Sequence, residues 1–305
     1  QLVNLTTAQM AVLTADQIAG LTTAQVGKLT ETQVGALTSS QVKVIETTDL
    51  QQLTAAQLQA ITTSAVKAMT VDQMAAITTA QINKFTESQV GVLSAAQVQS
   101  ITTAAVIKLT NSQVQALTTT AVKGMLTEQV SSLTATQLAN LTTAQVAVLT
   151  ADQLVSLTTA QISKFTAEQM GSMTTAQIKS IATDDLQQLT AGQLQGITTD
   201  GVKALLAEQV TALTTAQISK LTEAQVGVLS VGQVQAIGTA DLTNLTNAQL
   251  QALSTAGVRG MSTDQLSALL PVQVANLTTA QIVALDIATQ VQSLTTAQVN
   301  KLTGD

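Results

Sequence analysis

An eight-residue repeat governs this chain more tightly than any other feature. With Leu5, Leu13, Leu21 and Leu29 as the first residues of successive octads, the pattern runs unbroken to Leu277 and makes 35 units. The first place is always Leu, Ile, Met or Phe, and the sixth (Met10, Ile18, Val26, Val34 and on to Ile282) is always Val, Ile, Leu or Met. Thr or Ser dominates the second place and Gln takes the fifth in 27 of the 35, so that residues 21–28 read LTTAQVGK. One extra residue enters between Leu285 and Leu294, and the pattern then resumes. A unit this small cannot bury an apolar face alone, so the octads must stack on one another.

Neither a continuous helix nor a flat strand suits the period. Eight residues of α-helix advance about 800°, so equivalent side chains drift by about 80° per unit and form no stripe. On a strand, the first and sixth places point to opposite faces. A short helix inside each octad fits better. With the N-cap at the second place, Thr or Ser caps, Gln falls at N3, and T-x-x-Q is a capping box. The first and sixth places become N′ and N4, the two halves of a hydrophobic staple.

The charged residues support this assignment independently, since a helix favours acids at its start and bases at its end. All 18 acidic residues lie at places two to five, and all 12 basic residues at places seven or eight. Nine of the 15 glycines, including Gly20, Gly27, Gly35 and Gly260, fall at places seven or eight, where a helix C-terminus is expected to need a positive φ. The single Pro271 falls at the third place, which is N1 and accepts proline.

The predicted fold is therefore all-α: a solenoid of very short stacked helices, one per octad, around a narrow aliphatic axis filled by the first and sixth places. Such an axis leaves little room for aromatics, and the chain has only Phe85 and Phe165, both at first places and both read as a slightly wider core layer. Residues 1–305 are expected to form one continuous array. A 136-residue period, or 17 octads, overlies it as blocks 1–136, 137–272 and a partial 273–305. Octads lacking the fifth-place Gln, at Asp49, Ala65, Ala105, Ala121, Asp185, Gly201, Asp241 and Gly257, divide each block into seven octads plus ten. If those echoes mark equivalent places around the axis, a turn holds about 3.4 octads, or else about 2.4.

Most chemistry is excluded by composition. There is no His and no Cys, which removes the usual near-neutral general base, the thiolate nucleophile and the soft metal ligands. Thr and Ser are abundant but already employed as helix caps. We expect no catalytic, cofactor-binding or metal-binding residues and no enzyme activity. The adjacent carboxylates Asp184 and Asp185 read as an acidic first turn. No calcium-binding motif is present, so only weak calcium binding through rows of Asp is conceivable. A net charge of −6 has the wrong sign for binding nucleic acid, and no apolar run is long enough to span a membrane. The triplets Asn4–Leu5–Thr6, Asn140–Leu141–Thr142, Asn244–Leu245–Thr246 and Asn276–Leu277–Thr278 match the N-glycosylation pattern. They arise wherever Asn ends one octad, where it is read as a left-handed helix terminator.

The array of LTTAQV-like octads resembles the short-period repeat tracts of very large secreted or surface proteins of bacteria, including adhesin-like ones. That resemblance spans the whole chain and implies an extracellular or cell-surface location. The expected function is structural: forming or belonging to an extracellular filament, stalk or surface layer through self-association. The alternative is a spacer or ligand-presenting solenoid of a large bacterial adhesin.

Overall fold

In the computed structural model, residues 2–302 are described. They form short helices joined by brief turns, and none of them lies in a strand. Contacts divide the chain into two compact units, residues 1–158 and 159–305, and each is a solenoid of short helices.

The octad 93–100 illustrates the local logic. Ser94 is the N-cap of the helix Ala95–Ser100. Its hydroxyl accepts the Gln97 N–H at 3.2 Å, while its own N–H donates to Gln97 Oε1 at 2.9 Å. Leu93 and Val98, first and sixth in the octad, are buried. The helix ends after one to two turns because the next first-place residue, Ile101, leaves helical geometry at ψ 130°. This capping box recurs along both units, and Pro271 begins its helix, Pro271–Ala275, as expected.

Within each unit, helices stack on the third helix before or after them. Ala95–Ser100 packs against Val71–Ala76 on one side and Thr119–Gly124 on the other; in the second unit Ala167–Ser172 packs against Ala191–Gly196. Bonds between successive turns connect residues 25 to 31 apart. A turn thus holds between three and four octads, as the larger of the two expected values requires. The smaller value would make the second-next octad the axial neighbour.

A third inward position joins the two apolar ones. The fifth-place Gln is buried, to 3% exposure at Gln97. Its Oε1 closes the capping box, and its Nε2 reaches back one turn to donate to the carbonyls of Val66 at 3.0 Å and Met69 at 2.9 Å. Gln41 does the same to Met10 and Leu13, and Gln225 to Leu194 and Ile197. One amide therefore satisfies a helix start in its own turn and a helix end in the turn before, where orphaned carbonyls would otherwise be buried. The extra residue near Leu285 obeys the same demand. It is absorbed in a π-turn, Ile287–Val291, and Gln290 still donates to Val258 and Met261, now 32 and 29 residues back.

Two expectations are corrected. No glycine or other residue among those described has a positive φ. The glycines at places seven and eight serve close approach instead: a Cβ on Gly171 would lie 2.8 Å from the Gly196 carbonyl oxygen, and one on Gly196 would collide with that of Ala167. Likewise Asn140 and Asn276 end their helices with φ of −96° and −92°. Their side-chain amides donate to carbonyls four residues back, so no left-handed turn is involved.

The amide bridge makes a direct prediction. Gln97→Leu, of similar size, strips the Met69 carbonyl of its donor and should cost roughly 1–3 kcal/mol. Gln97→Glu should cost more, because a carboxylate would face carbonyl oxygens. Denaturation midpoints followed by circular dichroism should fall in the order wild type, Leu, Glu; equal midpoints would show that the amide contributes nothing.

Candidate interaction surface

The octad's inward places are spent on packing and capping, so function must be carried by the outward ones. Two open clefts of about 620 Å³ interrupt the surface. The first lies in the second unit, beside Thr255, Arg259 and Asp286. Asp286 accepts hydrogen bonds from the Thr289 hydroxyl at 2.7 Å and its N–H at 2.9 Å. Those bonds, with a smaller contribution from the Arg259 charge, hold its carboxyl below the usual range. This is a helix cap at the site of the extra residue. The second cleft, beside Leu5, Gln25 and Lys28, has no converging polar groups.

Asp184 is exposed and Asp185 half-buried. Among the described residues, no three acidic side chains converge where a metal could sit, and no helix is long and apolar enough to cross a membrane. Phe85 and Phe165 are both buried in the core.

What the surface does carry is ordered charge. In the first unit, Lys43, Lys67 and Lys123 occupy seventh places and are all exposed. The helices Ser39–Lys43 and Thr63–Ala68 pack directly on one another, so the first two lysines sit one turn apart. Lys123 follows Lys67 by 56 residues, which is two turns at 25 to 31 residues each. Just past each lysine, across the corner into the next octad, stands an exposed acid: Glu46, Asp72 and Glu128. Their helices stack in the same way, Thr47–Leu50 on Val71–Ala76. A basic row with steps of 24 and 56 residues and an acidic row with steps of 26 and 56 thus flank one corner. The second unit repeats this with Lys179, Lys203 and Arg259 beside Asp184, Glu208 and Asp264, all exposed. Sequence reasoning sorted the charges by helix end and missed this alignment, although the 24- and 56-residue spacings were present in the sequence.

The comparisons follow the same spacing. Residues 42–79, 178–215 and 234–271 are similar to the ALTTAQ repeat family. The chain is a tandem-repeat protein. The three matched segments begin at Val42, Ile178 and Val234, all sixth-place residues, and each contains a lysine or arginine of the basic row with its following acid. No curated protein matches the chain.

Asp49 is the least settled of the residues that replace the fifth-place Gln. It is 3% exposed, its Oδ1 has no hydrogen-bond partner, and the N-cap Glu46 makes no capping bond. Glu46→Thr with Asp49→Gln rebuilds the capping box and supplies an amide to Ile18 and Leu21 in the turn below. The double variant should gain about 1–2 kcal/mol, read as a higher thermal midpoint; an unchanged or lower one would refute the amide's role at this octad.

Proposed function

We propose that this chain is a structural repeat protein, forming or belonging to an extracellular filament, stalk or surface layer through self-association. The observation that carries the reading is the closure of each turn on the one before by residues of the octad itself. Gln57, Gln97 and Gln225 all bond to carbonyls 28 residues back with no group borrowed from elsewhere. A solenoid of this kind lengthens by adding octads, without a new core at each step. Its outward face of Thr, Gln, Ala and evenly spaced charges suits repeated lateral contact, and no residue is assigned a chemical step. Secreted and surface-exposed settings agree with the resemblance to bacterial surface repeat tracts.

A spacer or ligand-presenting solenoid of a large adhesin is the alternative, favoured by the same self-sufficient turns, which need no partner in order to fold. Sedimentation and electron microscopy of the purified chain separate the two readings. Ordered assemblies that grow with protein concentration are expected for the structural role. A chain that stays monomeric at high concentration over a wide range of salt would overturn it in favour of the spacer.

A further inference from the structure

Resting on that reading, we infer that the corner between the paired charge rows is a self-docking surface whose partner is a second, parallel copy of this chain. In the first unit the basic row is Lys43, Lys67 and Lys123, and the acidic row is Glu46, Asp72 and Glu128; every one of the six is exposed.

The arrangement fixes the symmetry. A twofold axis parallel to the solenoid axis exchanges the two sides of the corner while preserving height. Each lysine then faces the acid at its own level on the other copy, with no slip along the axis. A twofold perpendicular to the solenoid axis and tangent to the face would set lysine against lysine and acid against acid. Opposite charges reward the parallel pair and like charges penalise the antiparallel one. In the second unit both rows step by 24 and 56 residues, so the match holds at every level; in the first the lower acidic step is 26, because Glu46 stands two places earlier in its octad than Asp72 and Glu128.

Three of the exposed apolar residues stand at the same corner. Val71, beside Asp72, is 45% exposed, and Leu126, two residues before Glu128, is 40% exposed. In the second unit Leu206 stands in the same relation to Glu208, at 38%. Leu126 and Leu206 occupy N-cap positions and make no side-chain capping bond there. Most other octads spend that place on Thr or Ser; leucine gives up the cap beside the acidic row at Leu126 and Leu206, and once away from it, at Leu270. A side chain that weakens the single chain while adding apolar area beside a charge row is explained by a contact with another molecule.

The test uses the full chain, with folding checked by circular dichroism. Reversing the basic rows (Lys43, Lys67, Lys123, Lys179, Lys203 and Arg259, each →Glu) should weaken side-by-side association at low salt on the order of ten-fold or more. Mixing that variant with one whose acidic rows are changed to Lys should restore a one-to-one complex. Should either variant unfold, Lys→Gln changes in the basic rows should still weaken association. Leu126→Thr with Leu206→Thr should raise the thermal midpoint of the monomer and weaken association together. The chain has no native cysteine, so Thr47→Cys and Thr127→Cys, tested singly and as a mixture of the two, report register: each should form a disulfide with its own equivalent in the other copy. Assembly that ignores charge reversal, or in which position 47 crosslinks to 127 but neither to itself, overturns this inference and leaves the structural role standing. A chain that never associates overturns both.

Discussion

Every other feature of this protein depends on one side-chain amide used in two directions. A helix of four to six residues has almost no free N–H or C=O that is not an end group. A stack of such helices would bury rows of unpaired backbone atoms at a cost of a few kcal/mol each. The fifth-place Gln removes that cost at both ends of the problem. In the octad 53–60, Gln57 Oε1 takes the Thr54 N–H at 2.7 Å, and its Nε2 serves the Leu29 carbonyl one turn earlier at 2.6 Å. Aspartate is too short for that span and glutamate has no donor, which is why the residue is an amide and not an acid. Hydrophobic burial at the first and sixth places drives the stacking; the amide sets the distance between turns and their register.

That dual role explains what the sequence made legible and what it hid. The short helix could be read because four residue classes obey its polarity, and the cap at Ser94 and the proline at 271 sit where that reading placed them. The inter-turn bond could not be read from the capping box alone, because Glu and Gln serve equally well at N3. Yet the signal was present: glutamate never takes the fifth place, although seven glutamates occupy the second, third or fourth. A capping box that refuses glutamate is using its other donor. The number of octads per turn stayed ambiguous for a different reason. Echoes at seven and ten octads fit whole turns at two values, and only a bond of known span, such as Gln97 to Met69 across 28 residues, chooses between them.

The glycines and asparagines were misread because a rule for isolated helices was applied to stacked ones. In a long helix, Gly after the last turn usually adopts a positive φ. Here the chain leaves each helix through an extended first-place residue, with Ile61 at φ −58° and ψ 125°, and continues inward to fill the axis. No reversal is needed, so no left-handed residue is needed. The constraint on the seventh and eighth places comes from the turn above. Gly35, Gly91 and Gly227 each lie where a Cβ would come within 3.1 to 3.2 Å of an eighth-place carbonyl oxygen 25 residues ahead. Where the seventh place is Gln instead, as at Gln51 and Gln235, its amide donates to that same carbonyl. Close contact and hydrogen bonding are alternative solutions to one neighbour, which is why composition at this place varies while geometry does not.

Regular geometry also turns sequence spacing into surface spacing. Because a turn takes between three and four octads, residues 24 apart sit one turn apart on directly packed helices, and residues 56 apart sit two turns apart. Lys43, Lys67 and Lys123 use those two intervals in that order, and Lys179, Lys203 and Arg259 use them again. Helix polarity alone places bases at helix ends and acids at helix starts, and any octads would satisfy it. It gives no reason for charges to recur at intervals that commensurate with the turn, nor for Leu126 and Leu206 to displace capping residues beside the acidic row. The core accounts for the octad; the choice among octads follows the turn, and an interval matched to the turn has physical meaning only for something that reads the outside of the solenoid along its length.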